Sequence, residues 1–553
     1  MTIVIISSMK VKNMATFQER LIMAMDAKRL RQIDIVNAAQ AQGMKLGKSH
    51  VSQYVSGKTI PRSDIMSFLA STLGVDQEWL SGHELESTAI TDTEPQQFNT
   101  EEIELNGNMQ VQKESRHHEP NHIELVGERP DESVPVPAPS PRHTGKETTM
   151  RTFNKSTKLD NVLYDVRGPV VQEAARMEAT GTNVLKLNIG NPAPFGFRTP
   201  DEVVYDMASQ LTESEGYSDS KGLFSARKAI MQYAQLKNLP NVTIDSIYTG
   251  NGVSELINLS MSALLDTGDE VLLPSPDYPL WTACVTLAGG TPVHYVCDEQ
   301  SDWFPDIEDM RSKITDKTKA IVIINPNNPT GALYPVEVLQ QIVDLAREHQ
   351  LMIFSDEIYD RLVMDGLQHT SIASLAPDLF CVTYSGLSKS HMIAGYRIGW
   401  MILSGNTRIG RDYIEGLNML TNMRICSNVP AQSIVQTALG GHQSVNDYLV
   451  PGGRIYEQRE YIYEALNAIP GITAVKPKAA FYIFPKIDTK RFHMTDDVQF
   501  ALDLLKEEKV LVVQGTGFNW HEPDHFRVVY LPRVEVLRTA VDKIGHFFST
   551  YRQ

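Results

Sequence analysis

Four uninterrupted apolar runs constrain the fold of this chain more than any other feature: Glu270-Val-Leu-Leu-Pro274, Lys319-Ala-Ile-Val-Ile-Ile324, Leu351-Met-Ile-Phe354 and Phe380-Cys-Val-Thr383. None alternates polar with apolar, so as strands they need cover on both faces. Helical patterns lie between them, Pro335–Glu348 being one. Doubly covered strands joined by crossover helices predict an α/β fold with a mostly parallel central sheet. No internal repeat is visible. Such a sheet places its ligands just beyond the carboxyl ends of its strands. The residues that follow each run are therefore the first candidates for function.

Tyr384-Ser-Gly-Leu-Ser-Lys-Ser-His-Met-Ile-Ala-Gly-Tyr-Arg-Ile-Gly-Trp400 holds Lys389 in a small, polar setting, with Arg397 eight residues later between Gly395 and Gly399. A lysine amine forms a Schiff base with an aldehyde, and pyridoxal phosphate (PLP) supplies one. Hydroxyls, backbone N–H groups and a guanidinium suit its phosphate. Tyr248-Thr-Gly-Asn-Gly-Val-Ser-Glu255 runs from a short strand through glycines into a helix. The amides of Gly252, Val253 and Ser254 then face an anion at a helix N-terminus. Tyr278, in Pro274-Ser-Pro-Asp-Tyr-Pro279, is placed either to stack on an aromatic ring or simply to pack. In Asn325-Pro-Asn-Asn-Pro-Thr-Gly331 two prolines fix the turn, and the Asn328 amide can donate to a phenolate oxygen. Asp356, in Phe354-Ser-Asp-Glu-Ile-Tyr359, ends a buried run, where a carboxylate is costly unless paired. A protonated pyridine nitrogen is a fitting partner, and Tyr359 can reach the O3′ side of such a ring. Phe526-Arg-Val-Val-Tyr-Leu-Pro532 sets Arg527 on a late strand, where it can take a carboxylate in a bidentate pair.

In this order and spacing, residues from about 155 to 553 resemble the class I aminotransferases of PLP fold type I. Asn-Pro-Asn-Asn-Pro-Thr-Gly, Asp-Glu-Ile-Tyr, and Ser-Lys with Arg eight later carry the likeness. Further segments are similar to the bacterial glutamate–pyruvate (alanine) transaminases: Tyr164-Asp-Val-Arg-Gly-Pro169, Leu187-Asn-Ile-Gly-Asn-Pro-Ala-Pro-Phe-Gly196, Gly216-Tyr-Ser-Asp-Ser-Lys-Gly-Leu223, Tyr278-Pro-Leu-Trp281 and Phe518-Asn-Trp520. The resemblance implies a transaminase that moves an amino group between an L-amino acid and a 2-oxo acid. L-Alanine with 2-oxoglutarate, giving pyruvate and L-glutamate, is the expected pair.

The resemblance also assigns roles. Lys389 carries PLP and later moves the substrate proton as general acid and base. Asp356 meets the pyridine nitrogen, Asn328 and Tyr359 hold O3′, and Tyr278 stacks on the ring. Val253, Ser254 and Arg397 bind phosphate. Many members carry a phosphate-binding serine where this chain has Gly386, so Ser388 or Ser385 takes its place. Tyr217 reaches the phosphate of a neighbouring subunit, which implies a homodimer with shared sites. Gly190, Asn328 and Arg527 hold the amino acid, with Arg527 on its α-carboxylate. No second arginine for a dicarboxylate side chain is identifiable. Decarboxylases, lyases and cyclopropane-forming synthases use the same fold and cofactor. Arg527 and the alanine-type motifs favour transamination.

The N-terminal part is different in kind. Residues 14–82 carry eight Lys/Arg against six Asp/Glu, whereas the whole chain has a net charge of −16. Phe17, Leu21, Ile22 and Met25 fall at helical spacing, as do Ile35, Val36 and Ala39. In Gly47-Lys-Ser-His-Val-Ser-Gln-Tyr-Val-Ser-Gly57, Val51 and Val55 face inward while Lys48, Ser49, His50, Ser52 and Gln53 face out. Those are side chains of the kind that read base edges. The segment resembles the Cro/C1 repressor-type helix-turn-helix family, with Gln32 opening the second helix and Lys48–Val55 as the recognition helix. Its link between those helices, Ala39-Gln-Ala-Gln-Gly-Met-Lys-Leu-Gly47, is several residues longer than usual. Gln32, Lys48, Ser49 and Gln53 are the candidate DNA contacts; a helical interaction or dimerisation module is the alternative.

Residues 83–150 hold fourteen Asp/Glu against five Lys/Arg, with prolines clustered in Val134-Pro-Val-Pro-Ala-Pro-Ser-Pro141. So little apolar surface predicts a disordered, extended linker. His117, His118 and His122 lie in it without a scaffold to hold a metal, so no metal site is expected. The expected organisation is a disordered tip at 1–13, an all-α helix-turn-helix domain at 14–82, the linker at 83–150 and an aminotransferase at 151–553. Within the last, a large PLP-binding domain spans about 196–445, and a small α/β domain comes from about 151–195 and 446–553. The four cysteines, Cys284, Cys297, Cys381 and Cys426, form no paired spacing, and no run reaches membrane length, so a cytoplasmic location is expected. The competing functional reading is a transcriptional regulator whose aminotransferase-like domain senses PLP or an amino acid.

Overall fold

The structure, a computed structural model, describes residues 16–81, apart from 29, 42, 43, 45 and 58, and residues 153–553, apart from 161 and 163–167. The tip at 1–13, the linker at 83–150 with its three histidines, and residues 164–167 of the first alanine-type motif lie outside the described residues. Contacts divide the chain into two units, Met1–Pro141 and Arg142–Gln553.

Described residues of the first unit form five helices: Phe17–Ala27, Gln32–Ala41, Lys48–Val55, Ser63–Leu73 and Gln77–Ser81. Thr16 starts the first with a reciprocal cap: its Oγ1 accepts from the Glu19 amide at 3.3 Å, and its own amide donates to the Glu19 carboxylate at 2.7 Å. Gly74 ends the fourth in the left-handed conformation that favours glycine. Leu21, Ile35, Ala39, Val51, Leu69 and Leu80 make the core at 1% exposure or less. The third helix buries Val51 and exposes Ser49, His50, Ser52 and Gln53.

The second unit is built on an eight-stranded sheet. Across it the strands run in the order Ile247–Gly250, Gly399–Gly405, Phe380–Gly386, Met352–Asp356, Thr318–Ile324, Glu270–Ser275, Thr291–Asp298 and Phe304–Pro305. Pairing is parallel from Phe380–Gly386 through Thr291–Asp298 and antiparallel at both edges. All four apolar runs are therefore strands of one sheet. Helices such as Val336–Glu348 cover it, burying Leu339, Ile342, Val343 and Ala346 at helical spacing. The two faces carry separate apolar clusters, one around Ile321, Ile323 and Ile353, the other around Val322, Ile324 and Phe354.

Register sets the site. Ile324 pairs with Asp356, and Asp356 with Tyr384, so three consecutive strands end level. The Asn325–Gly331 turn, the Asp356 side chain and the segment leading to Lys389 leave three neighbouring central strands at their shared carboxyl end. A third apolar cluster joins Val170–Leu187 to residues 445–551. In it Leu185–Lys186 pairs with Val510–Leu511, and Phe526–Val529 lies between Tyr482–Ile483 and Val513–Gln514. Among the described residues, no helix is long and apolar enough to cross a membrane, and no group of His, Cys, Asp or Glu is arranged to hold a metal. All four cysteines are free thiols.

Candidate active site

A cavity of 520 Å³ opens at the level strand ends. Eleven residues singled out in the sequence line it: Gly190, Val253, Ser254, Tyr278, Asn328, Asp356, Tyr359, Ser388, Lys389, Arg397 and Arg527. They come from segments far apart in the chain, several of them from turns after strands or from helix starts.

Lys389 lies in the short helix Leu387–Ser390, directly after strand Phe380–Gly386. Its Nζ donates to the Gly190 carbonyl at 2.8 Å. Burial, with the nearby Arg527 and Arg397 cations, lowers its pKa to about 8. An amine so placed is partly unprotonated near neutral pH, as a nucleophile or proton acceptor must be. Gly190 owes its identity to a close approach. A Cβ there would lie 2.1 Å from the Tyr482 hydroxyl.

Asp356 is 4% exposed at the end of its strand. Burial pushes its carboxyl up to about 6, against the Trp281 Nε1 hydrogen bond at 3.2 Å and the Ile358 amide at 3.3 Å. Neither donor is a cation. Tyr359 shares a 2.6 Å hydrogen bond with the Tyr482 hydroxyl, and burial holds its phenol well above the usual range.

Arg527 donates from Nη1 to Asn328 Oδ1 at 2.9 Å and from Nη2 to the Asn188 carbonyl. Its guanidinium lies 4.6 Å from the Tyr482 ring centre and 4.5 Å from that of Phe518. Because Asn328 accepts through Oδ1, its amide nitrogen is the end left to serve another acceptor.

At the open end, Val253 and Ser254 start the helix Val253–Leu264, with Gly252 as N-cap at φ +82°. Arg397, exposed and itself in the left-handed region, donates to the Ala394 carbonyl at 2.9 Å and the Asn251 carbonyl at 3.1 Å. The positive φ of Gly252 favours glycine, and a Cβ on it would push the Arg397 guanidinium, whose Nη2 would lie 2.1 Å away, out of its present position. Helix start and guanidinium together form an anion cradle.

The two candidate serines are placed differently. Ser388 lines the cavity, whereas the Ser385 hydroxyl turns to the Glu357 carbonyl at 3.5 Å. Gly386 pairs with Gly399 across the sheet, and a Cβ on it would meet the Ile398 carbonyl oxygen at 2.8 Å. No side chain fits at that position. Tyr217 is 83% exposed and does not line this cavity.

Sequence reasoning missed Tyr482, Trp281 and the Asn188 carbonyl. Tyr482 follows Ala479-Ala-Phe481, and nothing in that run separates it from an ordinary core strand. Trp281 belonged to a quoted motif but had no assigned role.

The donor set fits PLP. An amine with a depressed pKa answers an aldehyde, a buried carboxylate without a cation answers a ring nitrogen, and the cradle at Gly252 answers a phosphate.

Residues 182–544 match the family model described as aminotransferase class I and II. The chain is 58% identical to the glutamate–pyruvate aminotransferase AlaA of Escherichia coli K12 over 404 residues, 73% of this chain and all of that protein. It is 54% identical to an alanine aminotransferase of Mycobacterium tuberculosis over 414 residues, 75% of this chain and 96% of the relative. Among solved structures, an aminotransferase from Escherichia coli superposes with a TM-score of 0.72 at 58% identity, covering 73% of this chain and all of that one. An alanine aminotransferase from Pyrococcus furiosus does so at 0.69 and 40%, covering 72% and 100%. The five-helix unit lies outside the family match. The chain belongs to the class I and II aminotransferases, a family of PLP-dependent enzymes, and its catalytic unit is a transaminase.

Proposed function

We propose that this transaminase exchanges L-alanine and 2-oxoglutarate for pyruvate and L-glutamate, with PLP carried on Lys389. The observation that carries the reading is the cavity itself, where Lys389, Asp356, Asn328, Tyr359, Arg397 and Arg527 converge. High identity to relatives named for alanine and for glutamate–pyruvate exchange supports the substrate pair. PLP, when bound, supplies the aldehyde that takes the amino nitrogen and the ring that accepts the electron pair.

The chain's own residues do the rest. Arg527, aimed by Asn328, Asn188 and two aromatic faces, holds the substrate α-carboxylate. Gly190, whose carbonyl accepts from Lys389 Nζ, helps to hold the amino acid. Lys389 Nζ would take the proton from the substrate Cα and deliver it to the former aldehyde carbon of the cofactor. With PLP bound, Asp356 would keep the ring nitrogen protonated, Asn328 and Tyr359 would hold O3′, and Tyr278 would pack on the ring. Arg397, the amides of Val253 and Ser254, and the Ser388 hydroxyl would bind the phosphate.

Tyr217 serves the phosphate of a second copy of the chain. Tyr205, Leu211 and Phe224 stand exposed on the same stretch, which suits a subunit interface. The large domain of about 196–445 and the small domain of about 151–195 with 446–553 belong to the same reading, as does a reducing, cytoplasmic setting for the four free thiols.

The test is an absorbance spectrum of PLP-loaded protein with L-alanine, followed by exchange with 2-oxoglutarate. Conversion to the pyridoxamine spectrum and pyruvate release, both lost in Lys389→Ala, are the expected results. PLP binding without exchange above that control would sink the reading.

A second activity is proposed for the first unit: duplex DNA binding through Lys48, Ser49, Gln53 and Gln32. Its support is the polar face of helix Lys48–Val55, opposite the buried Val51. Salt-dependent binding of the full chain to its own upstream DNA tests it. Equal binding to random duplex would reject a regulatory role.

A further inference from the structure

Three carboxylates follow one another at the end of strand Met352–Asp356: Asp356, Glu357 and Asp360, exposed by 4%, 0% and 8%. Burying three anions within five residues is costly unless each charge is met. The chain meets two of them from behind. The Glu357 amide donates to the Tyr384 carbonyl at 2.8 Å, continuing the ladder, so its side chain turns to the side of the sheet opposite Asp356. There Lys237, at the C-terminal cap of helix Phe224–Leu236, reaches in. Its Nζ lies 2.5 Å from Glu357 Oε2 and 2.7 Å from Asp360 Oδ2. Ser355 and Ser371 donate to Glu357 Oε1 at 2.9 and 2.6 Å, and Tyr233 donates to Asp360. Arg361 stands over the Tyr233 ring at 4.5 Å. His369 closes the chamber, 4.0 Å from Glu357 and within 3.1 Å of the Asn325 carbonyl.

Asp356 is met by no such cation; its donors are Trp281 and the Ile358 amide. We propose that Lys237 is a positioning residue for the reaction: by bridging Glu357 and Asp360 behind the strand end and cancelling one of their two charges, it leaves Asp356 as the carboxylate of the three whose charge is offered to the cavity. The inference rests on the transaminase reading, in which that charge meets the cofactor's ring nitrogen. Two features support it. Burial opposes the Lys237 charge, but Asp360 and Glu357 outweigh burial and hold the ammonium well above its usual range, so it is a permanent cation. Asp356, pushed up mainly by burial, is pushed further by Glu357. Without Lys237, Glu357 and Asp360 would lose their shared cation, with Arg361 still helping Asp360, and the added negative charge behind Asp356 would raise its proton affinity and spoil its pairing with a cationic ring.

The experiment uses the full chain with PLP. It compares wild type, Lys237→Met, Lys237→Arg, Glu357→Gln and the Lys237→Met/Glu357→Gln double variant. Readouts are PLP dissociation constant, the pH midpoint of the bound cofactor's absorbance, and kcat and KM for L-alanine. Lys237→Met is expected to weaken PLP binding and lower kcat by about tenfold each, with KM changed less than about threefold. Lys237→Arg should stay within about threefold of wild type, because it keeps the charge. Adding Glu357→Gln to Lys237→Met should recover most of the loss. Glu357→Gln alone should shift the midpoint opposite to Lys237→Met, which keeps the test decisive if Lys237→Met does not fold. A folded Lys237→Met with wild-type binding and kcat overturns the inference, as does a loss that Glu357→Gln leaves untouched or a midpoint that Glu357→Gln does not move. Failure of wild type itself to bind PLP would instead strike the transaminase reading.

Discussion

Arg527 and Asn328 are joined across the cavity: Nη1 of one donates to Oδ1 of the other at 2.9 Å, although 199 residues separate them. The guanidinium is thus held in place before any substrate arrives. Replacing Arg527 with Lys keeps a charge but loses the planar fork. The variant should lose about 100-fold in kcat/KM for L-alanine, near 3 kcal/mol, the scale of a charge-assisted bidentate pair. L-Alaninamide, which lacks the carboxylate, should lose far less. Steady-state kinetics with both substrates checks this, and equal losses would remove Arg527 from the carboxylate.

Lys389 sets a pH dependence. Its pKa is depressed to about 8, so the amine is mostly charged below that value and mostly neutral above it. Capture of PLP by cofactor-free protein needs the neutral amine. The capture rate should therefore climb as pH rises toward 8 and level off above it. Stopped-flow absorbance between pH 6 and 10 measures the profile (both limits are roughly two units around that pKa). A profile that climbs only near 10 would mean that the amine is not depressed.

Ser388 and Gly386 make a matched pair of predictions. Ser388→Ala should weaken PLP binding by about fivefold, the scale of one hydroxyl hydrogen bond, and leave the melting temperature of cofactor-free protein nearly unchanged. Gly386→Ser, which restores the residue common elsewhere in the family, should not tighten binding. Its Cβ would stand 2.8 Å from the Ile398 carbonyl oxygen, so it should destabilise by about 1–3 kcal/mol. Fluorescence titration and thermal unfolding separate the two outcomes.

Gly190→Ala tests the close approach of Tyr482. The added methyl would lie 2.1 Å from that hydroxyl, and Tyr482 is hydrogen-bonded to Tyr359. Displacing Tyr482 should disturb both tyrosines and cut kcat by about tenfold or more. The double variant Gly190→Ala/Tyr482→Phe removes the nearest clashing atom but leaves the Phe481 ring 2.6 Å from the methyl. It should regain part of the loss; no recovery would show that the Phe481 contact carries it.

Much of the candidate site could be read in the sequence, because the central strands are mainly apolar and stop at polar motifs. Asp356, Asn328 and Lys389 sit where such strands must end, so their convergence follows from the sheet. What escaped has a common cause. Tyr482, Trp281 and Lys237 reach the site from side-chain directions that no local period encodes, and each looks like an ordinary core or surface residue in its own segment. Ser385 and Ser388 could not be told apart by spacing. One belongs to the strand and the other to the following helix turn, and only the turn faces the cavity. The first three helices of the first unit were legible for a simpler reason: their apolar residues repeat at helical spacing around one small core.

The hydrogen bond from Arg527 to the Asn188 carbonyl spans 339 residues of chain. During synthesis, residue 188 leaves the ribosome long before residue 527. Lys389 and the phosphate cradle emerge in between, with no floor beneath them. The nascent protein can therefore complete its sheet while its reaction chamber stays unfinished, and the last strand to emerge acts as its keystone. A chain cut short by translational arrest, or clipped near its C-terminus, would retain the lysine and most of the fold yet lack a place for the substrate.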